Sequence, residues 1–87
     1  MDNMQLTKKL QKVLLTNIPK LAGMDDLLLQ DDTMLADDLQ MDSFDIVTIQ
    51  VALEDKFGFE FDPMEDDFDC IFSTMGELTA YLREKVS

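Results

Sequence analysis

Three kinds of side chain in this 87-residue sequence could do chemistry: a serine at the start of a helical pattern, Ser43; a lone thiol, Cys70; and acidic pairs strung through the middle of the chain. The absence of histidine excludes a His-based catalytic triad and any Cys/His zinc cluster. Cys70 can form no internal disulfide, and its neighbours Asp69, Ile71 and Phe72 predict a buried or acid-flanked thiol with no activating base. Acidic loops that start at Asp31 or Asp62 suggest a calcium-binding helical protein. Both lack the glycine at position six and the glutamate at position twelve of the twelve-residue calcium loop. Weak divalent binding by clustered acids is expected, but no metal site. That leaves Ser43. A serine at a helix start most often only caps or solvates, so the surroundings must decide whether its hydroxyl does more.

Several elements have to position it. From Asn3 to Ile18, Leu6, Leu10, Val13 and Leu14 recur at helical spacing, with Asn3 as a cap and Pro19 as the stop. Residues 19–41 contain Pro19, Gly23 and three Asp-Asp pairs among scattered leucines, which predicts a long loop pinned by its leucines, with one short helical turn. Loops of this length in compact domains usually serve a function. A second helix spans Ser43 to Phe57, with Asp42 as N-cap, Asp45 three residues on and Gly58 as C-terminal stop. Phe59-Glu60-Phe61 is too short an alternation for a sheet and reads as a connector before Asp62-Pro63. Residues 64–72 predict a short helix that buries Phe68, Ile71 and Phe72. Thr74 and Glu77 then form a capping box for a final helix striped by Leu78, Tyr81, Leu82 and Val86. The fold expected is all-α, a small four-helix bundle of three main helices and one short one. A single domain should span residues 1–87, with the long loop between the first and second helices.

At roughly 100° per residue, the second helix carries two apolar stripes. Ile46, Ile49, Leu53 and Phe57 form one. Phe44, Val47 and Val51 form another, roughly 150° away and flanking the azimuth of Ser43, with Glu54 and Asp55 further along. Either both pack against the loop and the short helix, or the second stripe is a docking surface beside Ser43.

Nineteen acidic residues against seven basic ones give a net charge of −12, which opposes self-association and nucleic-acid binding and predicts a monomer with basic partner surfaces. Seventeen of the acids fall between Asp25 and Glu77, with Lys56 the one basic residue in that stretch. The start lacks a charged n-region with an apolar h-region, and no stretch of eighteen apolar residues occurs. The expectation is a soluble, unexported, cytoplasmic protein without membrane insertion.

The segment Asp37-Asp38-Leu39-Gln40-Met41-Asp42-Ser43-Phe44-Asp45 resembles the Asp-Leu-Gly-x-Asp-Ser-Leu signature of acyl carrier proteins. Thr33-Met34-Leu35 before it, Ala52 to Gly58, the Phe59-Glu60-Phe61 connector and the closing helix from Thr74 to Leu82 extend the likeness. The resemblance implies a discrete carrier, not an enzyme. A phosphopantetheinyl transferase would attach a 4'-phosphopantetheine arm to Ser43 within the Asp42-Ser43 motif. Thioester-bound acyl groups would then pass between enzymes of fatty acid or polyketide-type synthesis. Ligases and synthases with basic docking surfaces would bind through Phe44, Asp45, Val47, Val51, Glu54 and Asp55. A helix N-terminus favours a phosphodiester while Asp42 and Asp45 repel one, so an enzyme must install it. The sequence departs from the signature twice: Gln40 stands where glycine is usual, which bears on the turn, and Phe44 stands where leucine is usual, a larger anchor. The paired glycines common before the serine of peptidyl carriers are missing, yet an aminoacyl cargo, as on D-alanyl carriers, stays open. An unmodified acidic adaptor would leave Ser43 bare.

Overall fold

The computed structural model describes residues 3–62 and 64–86, the side chain of Asn3 excepted. The expected cap at Asn3 and the Pro63 that follows the connector lie outside the described residues. Four α-helices form among the described residues: α1 (Asn3–Asn17), α2 (Ser43–Phe57), α3 (Phe68–Ile71) and α4 (Met75–Val86). None is long and apolar enough to cross a membrane. The all-α bundle therefore holds, and α1 packs against both α2 and α4 while α3 packs on α4.

The core is a leucine layer. Leu6, Leu10 and Leu14 from α1 meet Ile49 and Leu53 from α2 and Leu78 and Leu82 from α4, all at 1% exposure or less. Of the apolar residues expected to pin the loop, Leu28, Leu35 and Leu39 do so, joined by Leu21 and equally buried, while Leu27 is half-buried and Leu29 and Met34 are exposed. Two 3-10 turns, Pro19–Leu21 and Leu27–Leu29, stand where one was expected. Each presents one of these leucines inward.

Backbone bonds also tie the loop to the start of α4. Leu35 N–H donates to the Ser73 carbonyl at 3.1 Å, Met75 N–H to that of Thr33 at 2.9 Å, and Gly76 N–H to that of Asp31 at 2.9 Å. A Cβ at residue 76 would sit 2.9 Å from the Asp31 carbonyl oxygen, so this approach requires glycine. Thr33, buried, donates its hydroxyl to the Leu27 carbonyl at 2.6 Å, which satisfies it inside the core. At the head of α4, Thr74 Oγ1 accepts from Glu77 N–H at 3.1 Å, the forward bond of the expected capping box.

The short helix is shorter than its apolar pattern predicts, covering Phe68–Ile71 instead of 64–72. The acids before it are the cause. Asp62 Oδ1 accepts from Met64 N–H, Asp66 Oδ2 from Asp62 N–H, and Asp67 caps Cys70 N–H. Such local bonds offer the backbone an alternative to the helix ladder. Ile71 and Phe72 are buried as expected, and Phe68 is half-buried. Around them Phe61 anchors the connector, its ring 4.9 Å from Phe59, 5.6 Å from Phe72, 5.7 Å from Phe68 and stacked 5.3 Å from Tyr81. Tyr81 in turn donates its hydroxyl to Asp66 Oδ2 at 2.8 Å.

Candidate functional site

The turn that leads to Ser43 is built from two buried leucines and a reversal. Met41 N–H donates to the Leu35 carbonyl at 3.0 Å, Asp38 N–H to that of Met34 at 2.8 Å, and Asp38 Oδ2 accepts from Met34 N–H at 2.8 Å. Gln40 then takes φ +56, the left-handed region that glycine enters freely and a residue with a Cβ enters at a cost of about 1–2 kcal/mol. The departure at this position therefore leaves the glycine-type backbone in place. Lys20, on the first 3-10 turn, donates from Nζ to the Gln40 carbonyl at 2.6 Å.

Asp42 follows in extended conformation and caps α2. Its Oδ1 accepts from Asp45 N–H at 2.9 Å, and Asp45 Oδ2 accepts from Asp42 N–H at 3.3 Å. The two carboxylates expected at this end thus form a reciprocal capping box. Gly58, at φ +70, closes the other end and donates to the Glu54 carbonyl at 2.9 Å. Between these fixed ends Ser43 is the first residue of α2, exposed, and among the described residues nothing hydrogen-bonds its hydroxyl.

The two stripes of α2 separate as the docking alternative requires. Ile49 and Leu53 are fully buried, with Ile46 and Phe57 half-buried against them. Phe44, Val47 and Val51 are 78%, 55% and 61% exposed, so they do not pack against the loop or α3. Asp42, Ser43, Ile46 and Val47 border a groove of about 440 Å³ that Met41, Phe68 and Phe72 also line. Val51, Glu54 and Asp55 meet around a shallower hollow of about 320 Å³. A somewhat larger groove, about 500 Å³ between α1 and α2 along Lys12, Val13, Asn17 and Lys56, lies apart from Ser43.

Two of the acids expected on the docking face also serve the fold. Asp45 pairs with Lys20 at 2.6 Å, its side chain only 17% exposed. The Lys20 ammonium, helped by the Asp42 amide, holds its carboxyl below the ordinary value of 3.8 against the opposing effect of burial. Glu54 is half-buried and accepts from Phe61 N–H at 2.9 Å. Asp55 is the exposed acid of the set. Cys70 is exposed, so of the two environments expected for it the acid-flanked one is found. Among the described residues no three acidic or thiol groups converge as metal ligands.

Lys20 and Gln40 are the residues that sequence reasoning left out of the site. Gln40 carried a signal, standing where the signature has glycine. Lys20 carried none, since a lone lysine twenty positions upstream matches no pattern.

Residues 12–82 match the family model described as the phosphopantetheine attachment site. The acyl carrier protein of Thermotoga maritima is 33% identical over 64 residues, covering 74% of this chain and 75% of that protein. The chain belongs to the acyl carrier protein family. No solved structure matches at comparable significance. The cofactor of this carrier is therefore a covalent 4'-phosphopantetheine, the group its attachment domain takes. An open hydroxyl at the mouth of a partly apolar groove is a setting that fits such an arm.

Proposed function

We propose that this carrier is a single domain that receives its arm on Ser43 and ferries acyl groups between biosynthetic enzymes of fatty acid or polyketide type, itself performing no catalysis. The observation that supports this most is the exposed Ser43 hydroxyl, unbonded among the described residues, on a helix end fixed by a capping box. In arm transfer the Ser43 oxygen forms a bond to the phosphorus of the pantetheine phosphate. The bond from that phosphorus to the 3',5'-ADP portion of coenzyme A breaks, and the serine proton leaves to a base on the transferase. The arm's terminal thiol supplies the chemistry of thioester formation.

The chain's own residues act earlier. Asp42 and Asp45 hold the end of α2 so that Ser43 faces outward. Their negative charge keeps free phosphate from settling there, so modification depends on an enzyme that brings the phosphate. Phe44, Val47 and Val51 give a transferase, ligase or synthase an apolar anchor, and Asp55 with its acidic neighbours attracts a basic docking surface. The reading implies a cytoplasmic monomer, its net charge of −12 opposing self-association.

Intact mass after incubation with coenzyme A and a broad-specificity phosphopantetheinyl transferase tests this. Wild type should gain one arm, and Ser43→Ala none, with its helical circular dichroism unchanged. An arm that still appears on Ser43→Ala would move the site elsewhere.

A further inference from the structure

The Ser43 turn is held from outside the motif. The Lys20 ammonium spans the Gln40 carbonyl and the Asp45 carboxylate, each at 2.6 Å, and so joins the residue that reverses the chain to the residue that caps α2. Between them lie only Met41, Asp42, Ser43 and Phe44. Fixing the Gln40 carbonyl fixes the peptide plane on which Met41 begins. Asp45, through its bond to Asp42 N–H, fixes the next plane along, between Met41 and Asp42. Gln40 needs such help, because at φ +56 it holds a conformation that glycine would adopt unaided.

We propose that Lys20 is a positioning residue for arm transfer, bracing a turn that has lost its glycine so that the Ser43 hydroxyl is presented in one orientation. The proposal rests on the carrier reading above. Lys20 does not reach the hydroxyl; it acts through Gln40 and Asp45.

Two consequences set this apart from surface charge. Removing a cation from so acidic a chain makes it more attractive to a basic partner, so steering alone would lower KM and leave kcat unchanged. Lost positioning lowers kcat and leaves KM nearly unchanged, since the apolar anchors Phe44, Val47 and Val51 remain. In addition, glycine at residue 40 should make Lys20 dispensable.

The experiment is transferase kinetics on wild type, Lys20→Met, Gln40→Gly and the double variant, taken below each variant's melting temperature. Lys20→Met should lose about three- to tenfold in kcat, and the double variant should return to within about twofold of wild type. Amide resonances of residues 40–45 in the unmodified proteins should shift in Lys20→Met, which reads the brace without any arm transfer. An unchanged kcat in Lys20→Met, or a loss that Gln40→Gly leaves uncorrected, would overturn the role of Lys20. A wild type that accepts no arm would instead overturn the carrier reading itself.

Discussion

The two apolar sides of α2 are made of the same kinds of residue and end in opposite surroundings. Ile49 and Leu53 are at 0% exposure, while Phe44, Val47 and Val51 keep more than half of their surface in water. The inward side meets a layer supplied by leucines of α1, the loop and α4, and the second stripe, on the opposite side of the helix, faces away from that layer. Exposed side chains of this size forgo about 1.5–3 kcal/mol each of burial free energy. The difference teaches that the inward side answers to the fold, while the outward side is spare to it and open to the docking role proposed above.

Substitutions on each side can break that contrast. The largest effect is expected from Leu53→Ala, which empties fully buried volume and should destabilise by about 2–5 kcal/mol, read as a fall in thermal and urea midpoints. Arm transfer to the fraction that stays folded should proceed normally. Val51→Lys should do the reverse: a roughly fivefold slower transfer, about 1 kcal/mol, with the melting temperature moved by less than about 4 °C. If Val51→Lys unfolds the domain as Leu53→Ala does, the outward side is core and the contrast is lost.

A smaller effect sharpens the comparison by testing a carboxylate that lies on neither side of α2. The Asp66 carboxyl lies below its ordinary value of 3.8, held there first by Asp62 N–H and then by the Tyr81 hydroxyl, with burial opposing both. A lowered folded value means that Asp66 contributes stability above the ordinary carboxylate range and loses it as pH falls through the lowered value. Asp66→Asn should therefore melt on the order of 2–5 °C below wild type at pH 7, and the gap should narrow as the pH falls below the ordinary carboxylate value. Melts across that range check it; a gap that persists in acid would assign the loss to geometry instead of charge.

Much of this architecture is legible in the sequence alone. The three long helices announce themselves because period agrees with a stop, a cap or both: Leu6 to Leu14 before Pro19, Asp42 to Gly58, and the stripe from Leu78 to Val86 behind Thr74. The opposed stripes of α2 follow from angle alone. What escapes depends on contacts distant in sequence or on competition between local bonds. The apolar spacing of 64–72 hides the fact that Asp62, Asp66 and Asp67 each take a backbone N–H and delay the helix to Phe68. The conformation of Gln40 is marked by the signature's glycine, but what steadies it is not, because Lys20 reaches it only once the first 3-10 turn has docked. Asp45 and Glu54 read as free acids, since no pattern announces a partner such as Lys20 or Phe61 N–H.

The bonds from residues 31–35 to residues 73–76 have a consequence for how the molecule comes apart. They close a long loop of chain on itself, and α2 with its serine lies inside that loop. Closing a flexible segment between Leu35 and Ser73 costs about 3 kcal/mol of chain entropy by the (3/2)RT ln n rule, recovered only when the ends meet. Non-local contacts of this sort form late and cooperatively. The clasp and the segment it encloses should therefore open as one unit: the amides of Leu35, Met75 and Gly76 are expected to exchange with solvent at a common rate, and a pull applied to α2 would be borne by the far end of the chain.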